Sequence, residues 1–250
     1  MDKNFFKKLK GSVFEFSPFQ PNGFSSIGKA LFDLPEFCRK DVSIDSEIVF
    51  SQSQKLINRF KNNKILVVGG GSSANDLDYE NLEYDAIWSA NKFYLHPTLS
   101  KIKIDLVMLM NGEDFHDQPL IDYAHLHNPF IGFEWCEKLL DFPFKHNFNY
   151  FFSHTKFYSK LGACPRMIIL ACYLGVKEIH FCGMDGIKHI EEGKHAFEPG
   201  KKDKPFFFTY ETCLTQYKLF WGYVKAYFPK VKFKNLGAGQ EFHNLQNNHA

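Results

Sequence analysis

From Lys64 onward, short apolar runs alternate with polar, turn-forming segments. The run "KILVVG" has no polar gap, which is the pattern of a strand buried on both faces. Further runs of strand character follow: "YDAIWSAN", "KIDLVMLMN", "FNYFFS", "KEIHFCG" and "KVKFKNL". Between them the apolar period lengthens to that of helices. In "CPRMIILACYLG", Pro165 falls in the first turn and Gly175 at the stop. In "ETCLTQYKLFWGYVKAYF", Leu214, Tyr217, Phe220, Trp221, Val224 and Tyr227 recur at helical spacing. Strands alternating with helices predict an α/β fold, a Rossmann-like, mostly parallel sheet with helices on both faces.

Residues 1–60 break this pattern. They mix Phe with turn formers, as in "SPFQPNGF", and end in the helix-like "SEIVFSQSQKLINRF". The expected division is therefore an N-terminal arm and helix over 1–60 and a Rossmann-like domain over 61–250. Within the latter, about 186–210 is polar, basic and glycine-bearing between aromatic flanks, the composition of a lid.

Ligands of such sheets bind outside the carboxyl ends of the strands, so the strand ends form a search list. The first strand ends in Gly69-Gly70-Gly71-Ser72-Ser73. Glycines let a ligand approach the backbone N–H groups, and a helix starting there would add a dipole that favours phosphate. The serines suit a helix cap or a phosphate or ribose oxygen. The spacing fits neither GxGxxG nor GxxxxGK[ST], and a tight turn without a ligand is the competing reading. The second strand ends at Asn91, which offers a donor and an acceptor. The third ends at Asn111, with Glu113 and Asp114 as candidate acids. "FCGMDGIKH" places Gly183 and Asp185 at a later end, where Asp185 suits a ribose hydroxyl, a metal or a loop cap. In the lid, Lys194, His195, Lys201, Lys202 and Lys204 suit substrate phosphates, and His195 is the candidate general base.

Composition narrows these choices. The 250 residues carry a formal net charge of +2, which argues against a nucleic-acid footprint; local Lys clusters leave contact with phosphate or an anionic membrane surface open. The six cysteines include no CxxC pair, and the histidines fit no metal spacing such as HExxH. Reduced, buried thiols are expected. No run approaches the roughly 18 apolar residues of a membrane span. The N-terminus lacks the apolar core of a signal peptide, so a soluble cytoplasmic protein is expected.

In order along the chain, these landmarks resemble the bacterial sialyltransferases of glycosyltransferase family 42, and more distantly the pterin pyrophosphokinase-like family. "GGGSSANDLDYENL" stands where the sialyltransferases carry G-N-G-P-S and an "L…ID" segment, and "SANKFYL" resembles their "CNQFYF". "MIILACYLGVKEIHFCGMDG" resembles their helix, "GYKEI" and "GID" segment. The similarity spans about Lys64 to Asp185. It implies a nucleotide-binding domain that takes a CMP-linked sugar donor and a glycan acceptor, with no required metal or other cofactor, and often a homo-oligomer. Gly69, Gly70, Gly71, Ser72, Ser73, Asn91, Asn111, Gly183 and Asp185 would then line the donor site. Gly162 and Ala163, with Cys164, stand where the family has a donor-contacting Thr-Ser-Gly, and Arg166 is a nearby cation. Asp185, with His195 or Tyr210 of the lid, would carry the catalysis. The more distant resemblance implies instead an ATP- and magnesium-dependent diphosphotransferase, with Asp185, Asp114 and Glu113 on the metal. A non-catalytic nucleotide-binding protein is the third expectation.

Overall fold

The computed structural model describes residues 54–110, 116–134, 148–153, 161–186, 192–201 and 209–243. Their strands are β1 (Lys64–Val68), β2 (Ala86–Ala90), β3 (Leu106–Leu109), β4 (Phe130–Glu134), β5 (Tyr150–Ser153), β6 (Glu178–Cys182) and β7 (Lys232–Asn235). They form one sheet in the order β5-β4-β3-β2-β1-β6-β7, parallel at every pairing. The chain winds outward from β1 to β5, then crosses back to lay β6 and β7 on the other side of β1. The crevice between β1 and β6 is therefore the point where the winding reverses, the place in open α/β sheets where ligands collect.

A sheet covered on both sides needs apolar side chains in both directions. Ile65 and Val67 of β1 enter one core with Trp88, Met108 and Phe181, whereas Leu66 and Val68 enter the other with Val107, Leu109 and Cys182. Helices α2 (Ala163–Tyr173) and α3 (Tyr210–Tyr227) close the first core, joined by the helical residues 54–60. Helix α1 (Gln118–His127) and short 3-10 turns close the second. Every residue of α2 is buried, which is why it reads as apolar all round. A 2.9 Å hydrogen bond between the Tyr173 and Tyr223 hydroxyls ties it to α3.

Four features differ from the sequence expectation or add to it. Strand β4 was not expected, so "FNYFFS" forms the fifth strand rather than the fourth. Its apolar pattern is diluted by Gly132, and the Phe151 ring of β5 occupies the space: a Cβ on Gly132 would lie 2.5 Å from Phe151 Cζ. Helix α1 also lacked a clear signal. The expected helix after the glycine turn is a five-residue 3-10 segment, Ser72–Asp76, followed by a second such turn at Tyr79–Asn81. Leu56 and Phe60, expected in the arm, are fully buried in the core, with Phe60 edge-on to Trp88 at 4.9 Å.

No helix among the described residues is long and apolar enough to cross a membrane. Cys164, Cys172, Cys182 and Cys213 are buried and form no disulfide. Residues 1–53 of the arm, Asn111, Glu113, Asp114, Lys202 and Lys204 lie outside the described residues.

Candidate functional site

The glycine turn follows β1 and meets the end of β6 directly. Gly69 N–H donates to the Cys182 carbonyl and Gly71 N–H to the Gly183 carbonyl, both at 2.9 Å. A Cβ on Gly69 would lie 2.5 Å from Cys164 Sγ, in the first turn of α2, and equally close to the Gly183 oxygen. One on Gly71 would lie 2.5 Å from Asp185 Oδ2, and one on Gly70 would overlap the His195 imidazole. The close approach that these glycines permit is thus made by the protein's own atoms. Gly183 itself has φ +68, and a Cβ there would strike the Gly69 carbonyl. Only glycine fits that backbone in that space.

Ser73 and Asp185 form the buried centre of this junction. The Ser73 N–H donates to Asp185 Oδ2 at 2.8 Å, and its hydroxyl donates to Oδ1 at 2.5 Å. Gly183 N–H in turn donates to Ser73 Oγ at 3.0 Å. Asp185 is 5% exposed, and the chain after β7 covers it: Gly237 lies against Ser73 Oγ, and Gly239 against the Asp185 backbone. Both carboxylate oxygens are engaged inward, so of the three roles read for Asp185 the arrangement fits the loop brace. The Ser73 and Ala74 N–H groups are engaged too, by Asp185 and by the Gly71 carbonyl. These two N–H groups of the 3-10 segment are therefore not open to a phosphate. Among the described residues no group of three His, Cys, Asp or Glu side chains could hold a metal ion.

His195 reaches the same junction from the candidate lid. Ala196 N–H donates to the Gly70 carbonyl at 2.8 Å, which seats the His195 ring on Gly70. Its Nδ1 accepts from the N–H groups of Phe197 and Glu198, at 3.3 and 3.2 Å. A nitrogen that accepts two donors carries no proton, so the neutral ring is protonated at Nε2. His96 is built the same way: Thr98 and Leu99 N–H donate to its Nδ1, and its Nε2 faces Asn75 Oδ1 at 3.0 Å. Phe197 packs between the two imidazoles, with ring centroids 5.7 Å from His195 and 6.2 Å from His96. Lys92, just after β2, approaches Glu198 to 3.9 Å and so ties the same segment to the next strand end.

Asn91 ends β2 in the left-handed region, φ 50. Its Oδ1 accepts from Met110 N–H at 3.0 Å, past the end of β3, and the same side chain carries the Nδ2 amide as a donor. Among the described residues neither that amide nor the Gly70 N–H has a hydrogen-bond partner. Gly162 is exposed and Ala163 buried, at the start of α2; a Cβ on Gly162 would meet nothing. Arg166 is buried, with Nη1 3.5 Å from Met110 Sδ. Tyr210 opens α3, and its ring lies 5.4 Å from Phe242, which packs on Gly186 beside the junction.

The structure brings together Gly69, Gly70, Gly71, Ser73, Gly183, Asp185 and His195, with Ser72 in the same turn and Asn91 at the adjacent strand end. Sequence reasoning missed Gly237, Gly239, Phe242 and His243. The "GAG" after the last strand was the available signal, as a second glycine turn at a strand end. A cavity of about 240 Å³ lies elsewhere, at the amino ends of β4 and β5, lined by Lys55, Leu56, Phe130 and residues 148–151. No protein-family model matches the chain, and no curated protein matches it.

Proposed function

We propose that the protein is a transferase that binds a nucleotide-activated sugar of the CMP type across the carboxyl ends of β1 and β2 and passes the sugar to a glycan acceptor. One observation carries this reading. Two polar donors, Gly70 N–H and the Asn91 amide, are without partners among the described residues at adjacent strand ends beside the switch point. Donors left open in such a place suit a ligand rich in acceptor oxygens, as phosphates and ribose are.

In this reading each residue has a defined task. Gly70 N–H and Asn91 hold donor oxygens, and the Nε2–H of His195 donates to the departing phosphate. That is electrostatic stabilisation of the leaving group. The sugar–phosphate C–O bond breaks as the acceptor oxygen bonds the sugar carbon, and the acceptor hydroxyl's proton passes to the released phosphate, so this reading does not call on His195 as the general base. Asp185 acts through Ser73 as a brace that fixes the turn, and so is a positioning residue.

A thermal-shift panel of CMP, UDP, GDP and ATP, with and without magnesium, tests the proposal. CMP at about 100 times its Kd adds roughly 2.7 kcal/mol, a rise of roughly 5–10 °C for a chain of this size. That rise is expected without metal. A response confined to ATP with magnesium would transfer the assignment to diphosphoryl transfer. No response to any of the four would remove the nucleotide.

A further inference from the structure

The amino-terminal rim of the sheet, opposite the glycine turn, gathers lysines from three segments far apart in sequence. Asn62 N–H donates to the Gly175 carbonyl, Lys177 N–H to Asn63, and Lys232 N–H to Lys177, at 2.9, 3.0 and 3.1 Å. These bonds draw Lys61 and Lys64, Lys177, and Lys230 and Lys232 to one rim. Lys234 continues the group along β7, and the stem of Lys61 lies over Gly175. None of the six forms an ion pair with the described residues.

Register explains why this face is polar. Lys64 pairs with Glu178 and Glu178 with Lys232, while Leu66 pairs with His180 and His180 with Lys234. Side chains at paired positions share a face. Toward the amino ends of β6 and β7 that face is therefore polar, carrying Glu178, His180, Lys232 and Lys234, and the apolar cover resumes only at Cys182. The acids present are engaged locally: Glu178 Oε1 meets His180 Nε2 at 2.7 Å, and Asp85 Oδ2 accepts from Lys64 N–H at 2.7 Å. His180 is held from its other side by the Tyr84 hydroxyl at 2.8 Å, and Lys64 Nζ stands 4.8 Å over the Tyr84 ring. With Glu83 also ahead of β2, positive charge stays in surplus on a molecule whose net charge is only +2.

We propose that this rim is an electrostatic docking face for an anionic lipid bilayer. Two features favour a bilayer over a nucleic acid. The lysines are spread across a sheet edge rather than along a groove, and Tyr84, the ring on which Lys64 stands, is covered by that lysine and bonded to His180, so it offers no stacking platform. The strand carboxyl ends would then face away from the membrane. The inference is independent of what occupies those ends.

Cosedimentation of the full chain with vesicles tests it. Wild-type protein should bind vesicles of phosphatidylcholine with 30% phosphatidylglycerol, roughly, and release as salt shortens the screening length below about 10 Å. The fourfold variant Lys61→Gln, Lys177→Gln, Lys232→Gln, Lys234→Gln should lose at least tenfold in partition, whereas Lys101→Gln, Lys103→Gln, Lys194→Gln should not. These surface changes leave the core intact, and a circular dichroism melt checks that. Equal binding to pure phosphatidylcholine, or an unaffected fourfold variant, would overturn the proposal. So would vesicles left unbound while a labelled RNA binds and loses affinity in the fourfold variant, and that result would assign the face to nucleic acid.

Discussion

At the residue scale, the glycine turn shows how one residue type answers to different constraints. Gly183 is held by its backbone: φ is +68 and the Gly69 carbonyl blocks a Cβ. Gly70 has no such φ, and what fills its missing Cβ is the His195 ring, carried on a segment that is partly exposed. The two alanine variants should therefore behave differently. Gly183→Ala combines left-handed strain with a clash against main chain, and urea unfolding should show a loss of roughly 2–4 kcal/mol. Gly70→Ala should cost about 1 kcal/mol or less, because the ring can swing away, yet it should weaken the nucleotide response by displacing His195. Equal losses of stability would mean that the His195 segment is as fixed as the strand. The triplet was legible in the sequence as a special turn; its cause was not. No local pattern around Gly70 tells that a histidine far along the chain will lie on it.

At the element scale, strong single patterns were legible and mixed ones were not. β1, α2 and α3 have unbroken periodicity, and each forms where the sequence puts it. β4 was hidden because Gly132, which seats Phe151, interrupts the apolar run. The segment after β7 was hidden because its anchors are a histidine and a lone Phe. His243 is fully buried between Trp221 Nε1–H, which donates to its Nδ1 at 3.1 Å, and the Met184 carbonyl, which accepts from its Nε2–H at 2.9 Å. Burial pushes its pKa down to about 4, against the smaller upward pull of the Met184 bond, Asp185 and Glu241. The unfolded imidazole takes up a proton near pH 6.5 and the folded one only near 4, so this contribution is complete above 6.5 and is lost as pH falls toward 4. Between pH 7 and 4.5 the loss is roughly 2 kcal/mol. Urea midpoints at the two pH values should show it, and His243→Gln should flatten the slope while lowering stability at pH 7. An unchanged slope in the variant would place the acid sensitivity elsewhere, with His96, also lowered by burial, the next group to test.

At the scale of the whole molecule, the site is assembled from both sides of the sheet's reversal. β1 supplies the glycine turn, α2 the thiol beneath it, β6 the brace, the 192–201 segment its histidine, and the chain after β7 the cover. Only the last lies at the end of the described chain, so it can be removed without cutting a connection between strands. Truncation after Leu236 would remove Phe242 and His243 and uncover Trp221 and Asp185, all four 5% exposed or less in the intact chain. Losing the buried Phe and the two His243 hydrogen bonds should cost roughly 4–6 kcal/mol. That corresponds to a fall in Tm of roughly 10–20 °C relative to a chain ending at His243. The shorter chain should also lose any response to nucleotide, because Gly237 no longer backs Ser73 against Asp185. If its Tm stayed within about 3 °C of the control, the cover would be an accessory, and the turn, Ser73 and Asp185 would hold their geometry through β1 and β6 alone.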